Sequence, residues 1–428
     1  MKSYCVGGAV RDALLGLPVH DRDWVVVGAI PELLLSRGFK RVGADFPVFL
    51  HPESGEEYAL ARTERKKGSG YHGFATNAGP EVTLEQDLGR RDLTINAMAL
   101  AEGGELIDPF GGQEDLKRRR LRHVGAAFAE DPLRVLRVAR LFARLAPLGF
   151  TIDPETRELM ATLARSGELS TLTAERVWGE SLKALATPEP SRYFAALRSC
   201  EALAPVFPEL AALIGQSQPP QFHPEGDAWQ HSLLALEQAS RMSDRCEIRF
   251  AALVHDLGKG IPPPELLPHH WGHDRAGGEV VSGLCDRLRV PNNYRKLAIL
   301  SACHHHQGHA ILEMRAGTIV KWLLRLDGFR NPDRFLGFLT VCRADAMGRG
   351  GSEGGGGYPQ AVLWRRCLNA ASGVDTAKIA AAGYHGPAFG LVLRQERVNR
   401  VKGVLGAWRE KPDPGLEPER VPRVVGGA

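Results

Sequence analysis

The sequence predicts an α/β amino-terminal head, a mostly α-helical body behind it, and an all-α module beyond. Three observations carry that prediction. Short apolar, β-rich runs alternate with helical segments up to about residue 110. From Asp131 the apolar spacing turns helical and stays so to about residue 345. Two groups of chemistry-bearing residues, one of Asp and Arg and one of His and Asp, fall on either side of a Pro-rich break at Gln218–Pro224. A chain of 428 residues with 43% hydrophobic content supports more than one core. These shifts divide it into a head at 1–140, a helical neck and body at 141–220, the all-α module at 221–345, and a linker, helical tail and disordered end at 346–428.

In the head, Trp24–Val27 and Phe46–Leu50 read as strands and Ile30–Ser36 as a helix. Gly7-Gly8-Ala9-Val10-Arg11-Asp12 comes shortly before Asp21-Arg22-Asp23. Side chains two apart on a strand share a face, so Asp21 and Asp23 can converge on one hard cation such as Mg²⁺. A Gly-Gly turn lets backbone N–H groups approach a phosphate. It is not a Walker loop, because no Gly-Lys-Ser/Thr follows. Arg11, one turn into the next helix, can meet a phosphate or pair with Asp12 or Asp21. Either motif alone is ordinary turn chemistry; together they point to a metal–nucleotide site.

Thr63–Pro80 is Gly-rich, charged and aperiodic, which predicts a mobile loop. Arg90–Ala99 alternates polar and apolar residues and predicts a strand, with Arg91 reaching phosphate or sugar and Asn96 the ribose hydroxyls. Lys117–Arg144 carries nine Lys/Arg against two acids, a balance suited to a polyanion although the whole chain is only +4. Asp131 followed by Pro132 is a helix start. Beyond it Val135, Val138, Ala139, Phe142 and Leu145 fall on one side, and Arg134, Arg137, Arg140 and Arg144 on another. With no acid among them these four arginines repel one another, which predicts a phosphate or base lying across them.

In the second module His255-Asp256-Leu257-Gly258-Lys259 ends the apolar helix Phe250–Val254. His231 lies upstream on another helix, and His269-His270-Trp271-Gly272-His273-Asp274 and His304-His305-His306 follow. Imidazoles with carboxylates suit a transition metal. Ile261–Pro268 is a further Pro-rich break, Gly350–Gly357 a flexible linker, and the segment from Lys411 a disordered end. Seven scattered cysteines without a CxxC pair predict a reducing, cytoplasmic setting. No apolar run of about 18 residues predicts a membrane span, and no signal-peptide h-region is present.

Over residues 1–215 the three head motifs, Gly7–Asp12 with Asp21-x-Asp23, Arg90–Ala99 and Glu130–Arg140, resemble those of the class II tRNA nucleotidyltransferases and the related bacterial poly(A) polymerases, within the polymerase β-like superfamily. The resemblance implies a polymerase β-like head in which Gly8, Arg11 and Arg91 contact nucleotide and Asp21 and Asp23 hold Mg²⁺. It places Asp131, Arg134, Arg137 and Arg140 in the base pocket. Cytosine and adenine share an exocyclic amine beside an unprotonated ring nitrogen, so one Asp acceptor and one Arg donor match both. Uracil and guanine present the reverse pattern, and each unpaired buried polar group costs ~1–3 kcal/mol. Such a protein pair replaces a template and admits CTP and ATP, with Thr63–Pro80 a candidate for driving the change from C to A.

His231, His255 and Asp256 resemble the pattern of the HD-domain metal phosphohydrolases, with Asp345 as the closing carboxylate and His273 and His305 as extra ligands. The fusion resembles a multifunctional bacterial subgroup of CCA-adding enzymes, over about residues 1–410. It implies phosphatase, 2′-nucleotidase and 2′,3′-cyclic phosphodiesterase activity on a divalent transition metal, Ni²⁺ by family resemblance. The catalytic residues implied are Asp21, Asp23, His255 and Asp256. The expected partners are the tRNA 3′ end, CTP and ATP, with no membrane, in a monomer or weak homo-oligomer. A poly(A) polymerase is the nearest rival. A non-catalytic RNA-binding protein is disfavoured by the intact carboxylates, and a signalling hydrolase leaves the first 215 residues unexplained.

Overall fold

The computed structural model describes residues 1–42, 48–66, 74–221, 223–261, 268, 270, 272–349 and 357–413. It divides into two compact units, Met1–Ala184 with Arg192–Val206, and Leu185–Ser191 with Phe207–Ala428.

The first unit is built on a seven-stranded sheet of β1 (Lys2–Val6), β2 (Asp23–Val27), β3 (Lys40–Val42), β4 (Val48–Leu50), β5 (Glu57–Leu60), β8 (Ala99–Ala101) and β9 (Leu106–Ile107), in the order β3-β4-β5-β2-β1-β8-β9. β2 and β5 are parallel and the other pairs antiparallel. β2 is a continuous apolar run because both its faces are covered. Val25 joins Val6, Leu88 and Ala99 on one side, and Val26 joins Leu34, Phe49 and Leu60 on the other. Asp23 pairs in register with Val6, so the metal-binding candidate of β2 sits beside the Gly7-Gly8 turn that ends β1.

Two expectations for the head are corrected. Arg90–Ala99 is not one strand. A capping box of Thr83 and Gln86 starts the Leu84–Gly89 helix, a 3-10 turn occupies Thr94–Asn96, and only Ala99 extends into β8. Side-chain bonds outcompete a ladder there: locally, Asp92 Oδ1 accepts from Leu93 N at 2.9 Å, and at long range Thr94 Oγ1 donates to buried Asp115 at 2.7 Å. Thr63–Pro80 is not featureless either. Thr63–Lys66 (β6) and Phe74–Asn77 (β7) pair as an antiparallel ribbon; residues 67–73 lie outside the described residues. Also outside them are Phe46 and Pro47 of the expected strand, most of the expected Gly350–Gly357 linker, and the expected disordered end beyond Asp413.

The Leu133–Leu145 helix starts one residue later than the Asp131-Pro132 pair predicts, with Pro132 at the cap position, and Asp131 Oδ1 accepts from Leu133 N at 3.0 Å. Val135, Val138, Ala139 and Leu145 are buried, and so are Leu133, Leu136, Leu141 and Ala143; Phe142 is only half-buried. The helix is therefore wrapped by protein on most sides rather than lying on the surface.

The second unit is all-α. Its centre is formed by the helices Ala228–Met242, Cys246–Val254, His273–Arg287, Asn292–His309 and Pro332–Gly348, with Pro359–Ser372 and Gly386–Glu410 following. Trp229, Phe335, Phe338 and Trp364 are fully buried in it. Asp227 caps the first of these helices through Gln230 N at 2.8 Å. Leu185–Ser191 belongs to this unit because buried Arg249 donates to the carbonyls of Leu185 and Thr187, at 2.7 and 3.0 Å. A Cβ on Gly258 would collide with the His273 carbonyl, so only glycine lets the His255–Lys259 turn pack against the His273–Arg287 helix.

Candidate active sites

One cavity of about 890 Å³ in the first unit gathers Gly8, Arg11, Asp21, Asp23, Arg91, Asp131, Arg134, Arg137 and Arg140 along its walls. Gly7 takes φ 73°, and a Cβ there would come within 2.9 Å of Arg91 Nη1, so the turn and Arg91 need glycine. Arg11 pairs with Asp12 at 2.8 Å and donates to Asn96 Oδ1 at 2.6 Å, which presents it at the wall in a fixed orientation. Arg91 is steered by Asp87 Oδ2 at 3.3 Å.

The arginine stripe differs from expectation. Acids absent from its own stretch arrive from elsewhere in the unit: Asp92 on Arg137 at 2.8 Å, Glu180 on Arg140 at 2.5 Å and Asp12 on Arg144 at 2.8 Å. Arg134 is buried and donates to the carbonyls of Ala127 and Arg90. The stripe does not need a ligand to relieve repulsion. The excess charge remains all the same: ten Arg/Lys against five Asp line the cavity, which favours a polyphosphate. Burial raises the Asp92 carboxyl, but Arg137, Asn96 and Arg134 outweigh it and hold the group far below the ordinary carboxylate range. Arg62, Arg176 and Lys183 also line the cavity and were not singled out from sequence. Arg176 reaches Asp131 Oδ2 at 2.8 Å, a pairing across 45 residues that no local pattern announces.

In the second unit His231, His255, Asp256 and Asp345 come together, all buried. His231 Nε2 lies 3.1 Å from Asp345 Oδ1 and 3.6 Å from Asp256 Oδ2. His255 Nε2 lies 3.4 Å from Asp256 Oδ2 and 3.9 Å from Asp345 Oδ1. The other oxygen of Asp256 faces a second group: His273 Nε2 at 3.7 Å and His305 Nε2 at 3.6 Å, with Asp274 Oδ1 3.4 Å from His273. His304 packs on Trp322 instead, and half-exposed His306 pairs with Asp274 at 3.2 Å. His269 and Trp271 lie outside the described residues.

These donors fit a divalent cation. His255 Nε2, Asp256 Oδ1, His273 Nε2 and Asp274 Oδ1 are buried with no hydrogen-bond partner. Buried orphans of this kind are uncommon in a native protein and mark an ion or a catalytic role. Burial also pushes His255, His273 and His305 down toward the neutral, ligating form. Burial would raise Asp256 and Asp345, but the surrounding Lys and His groups hold both carboxyls well below the usual range. For His231 burial is outweighed by Asp345 and Glu225, which carry it up to about 9. The sequence reading missed Lys259, whose Nζ spans Asp256 Oδ2 at 2.7 Å and Gln218 Oε1 at 2.6 Å, although its i+3 spacing from Asp256 was a signal. It also missed Asp274, announced only by its place next to His273, and Glu225, His309 and Tyr358, which had none. A cavity of about 360 Å³, lined by Lys259, His273, His306, His309 and Arg349, opens on this cluster.

The head sheet with its Gly-Gly turn and paired carboxylates, and the helical unit with its His-Asp cluster, define a nucleotidyltransferase joined to an HD module. Residues 3–122 match the Poly A polymerase head domain family, residues 149–214 the family described as a probable RNA and SrmB-binding site of polymerase A, and residues 228–347 the HD domain family. The chain is 54% identical to the multifunctional CCA protein of Hahella chejuensis over 94% of its length and 95% of the relative's, and 54% identical to that of Methylococcus capsulatus over 95% and 96%. It belongs to the family of multifunctional CCA proteins. Its fold is that of the Thermotoga maritima CCA-adding enzyme complexed with tRNA (TM-score 0.62, 20% identity, 96% of this chain and 92% of that one). It is also that of the Bacillus stearothermophilus CCA-adding enzyme in complex with CTP (TM-score 0.59, 23% identity, 96% and 93%). Among the described residues no helix is long and apolar enough to cross a membrane.

Proposed function

We propose that the chain adds or repairs the 3′-terminal CCA of tRNA from CTP and ATP without a nucleic-acid template, and that its HD unit hydrolyses phosphoesters. The observation that carries the first activity is the convergence of Asp21, Asp23, Gly8, Arg11, Arg91 and the Asp131–Arg140 residues on one basic cavity. Asp21 and Asp23 would hold Mg²⁺, which when bound offsets charge on the phosphates and favours ionisation of the attacking 3′-hydroxyl. Arg11 and Arg91, each oriented by a carboxylate, bind phosphate and sugar. Asp131 and Arg134 supply the acceptor and donor that read the edge of C or A.

His231, His255, Asp256 and Asp345 would hold one divalent cation, and His273, His305 and Asp256 through its second oxygen would hold another. Ni²⁺ remains the metal the resemblance favours. A cation held there would make water nucleophilic at neutral pH and offset charge developing on phosphorus-bound oxygen. Lys259 and Arg349 at the adjoining cavity neutralise the phosphate and orient it. Removing a 3′ phosphate or a cyclic phosphate regenerates the hydroxyl that the first site extends.

The test is to incubate tRNA lacking its last three residues with each nucleoside triphosphate singly and then with CTP plus ATP, and to sequence the ends. CTP alone should add CC, and both together CCA. A long A tract without C overturns the reading in favour of a poly(A) polymerase.

A further inference from the structure

The Pro-rich stretch before the Ala228–Met242 helix reads from sequence as a boundary, yet it reaches the His-Asp cluster. Three of the four imidazoles there are oriented by backbone. His255 Nδ1 bonds Ala252 O at 2.7 Å, His273 Nδ1 bonds His270 O at 2.6 Å and His305 Nδ1 bonds Ser301 O at 3.0 Å. A carbonyl only accepts, so each ring carries its proton on Nδ1 and turns the Nε2 lone pair inward. His231 is the exception. Its Nδ1 makes no backbone hydrogen bond; a carboxylate oxygen, Oε1 of Glu225, lies 2.8 Å from it as a charge contact and is 2.8 Å from His223 Nδ1 as well. The Glu225 side chain is only 2% exposed.

We infer that Glu225 is a positioning residue for metal ligation: its charge beside Nδ1 favours the proton of His231 on that nitrogen, so that Nε2 is the atom offered to a metal beside Asp345 and Asp256. His223 Nδ1, bonded to the same oxygen at 2.8 Å, keeps the carboxylate from turning away. A carboxylate in place of a carbonyl makes the ring a more basic ligand, and loss of such a partner typically costs 10–100-fold in metal affinity. Glu225 lies outside the 228–347 segment that matches the HD family, so the family pattern does not announce it. The inference rests on the reading of the cluster as a metal centre.

The full-length wild type, Glu225→Ala and Glu225→Gln are titrated with Co²⁺, following visible absorption and chelator competition, and the ¹⁵N-histidine spectrum reports the His231 tautomer. Glu225→Ala should bind Co²⁺ about 10–100-fold more weakly at unchanged stoichiometry and lose the Nδ1–H signal. Glu225→Gln, whose amide oxygen still accepts, should recover part of both. Excess Co²⁺ should restore phosphohydrolysis, and CCA addition should not change. Unaltered affinity and tautomer in Glu225→Ala overturn the inference, as does loss of one bound Co²⁺ per chain, which would make Glu225 a ligand. If Glu225→Ala does not fold, Glu225→Gln decides by the same readouts: an affinity below wild type at unchanged stoichiometry, with the Nδ1–H signal weakened, supports the inference, and a wild-type affinity and tautomer or a lost Co²⁺ overturns it. A wild type that binds no Co²⁺ removes the metal-centre reading itself, and the inference with it.

Discussion

At the scale of single residues, the head cavity depends on Asp92, a buried carboxylate that lies within the Arg90–Ala99 motif but was assigned no role there. It pairs with Arg137 at 2.8 Å, accepts from Asn96 Nδ2 at 3.1 Å and caps Leu93 N at 2.9 Å. One charge thereby orients Arg137 at the cavity wall and the asparagine that holds Arg11. Its folded-state pKa is depressed, so its stabilisation is present above the unfolded value of about 3.9 and is lost as pH falls below it. Asp92→Asn should destabilise the head by about 2 kcal/mol at pH 7, a figure discounted because Arg137 is half exposed. The deficit should persist down to about pH 5 and shrink toward pH 3. Native-state amide exchange at Val6 and Val25 measures it; a deficit independent of pH would mean that packing, not charge, is what Asp92 contributes. Asp21 and Asp23 behave differently. They sit exposed at the cavity, so Asp21→Asn or Asp23→Asn should abolish nucleotide addition, measured by CTP incorporation, while the same exchange assay shows an unchanged fold.

At the scale of elements, the Leu133–Leu145 helix shows what could and could not be read in advance. Its start, its apolar side and its arginine spacing are local properties, and a 3.6-residue period displays them. The partners of the arginines are not local. Asp12, Asp92 and Glu180 come from positions 132, 45 and 40 residues away, so a compositional argument about uncompensated charge failed. The same limit explains Arg90–Ala99, where alternation suggested a strand but the long-range bonds of Thr94 to Asp115 and Arg122 bend the chain. The Ala174–Leu185 helix is the element this reading overlooked. It sends Arg176 to Asp131 and Glu180 to Arg140, and so braces both ends of the surface proposed to read the base. Arg176→Ala should loosen Asp131 and cost ~1–2 kcal/mol of base discrimination, roughly a tenfold rise in misincorporated U or G. Single-nucleotide addition assays with all four triphosphates would measure it. Unchanged selectivity would show that Asp131 holds its orientation through Leu133 N alone.

At the scale of the whole molecule, two chemistries share one chain, and their sites draw on separate units. Every residue lining the head cavity belongs to the first unit, and every donor of the His-Asp cluster to the second. The sequence displayed the HD pattern clearly, because His255-Asp256 is contiguous and His231 lies on a helix. Asp345 was harder, 89 residues further on with no flanking motif, and its place next to His231 follows only from the packing of the Ala228–Met242 and Pro332–Gly348 helices. Separate sites imply separable losses. His255→Ala should abolish phosphohydrolysis and leave CTP and ATP addition to a hydroxyl-ended tRNA unchanged; Asp23→Asn should do the reverse. The sharper expectation concerns a tRNA that lacks CCA and ends in a 2′,3′-cyclic phosphate. Water opens the ring to a monophosphate, a second hydrolysis releases inorganic phosphate, and only then does a 3′-hydroxyl exist to attack CTP. Wild type should therefore convert this end to CCA. His255→Ala should leave the cyclic phosphate in place, and Asp23→Asn should stop at the free hydroxyl. A mixture of the two variants should complete the reaction if the intermediate leaves one protein and enters another. Failure of the mixture, with each variant competent in its own step, would mean that the RNA end passes between sites without release. Loss of both activities in His255→Ala would mean instead that the His-Asp cluster supports the fold.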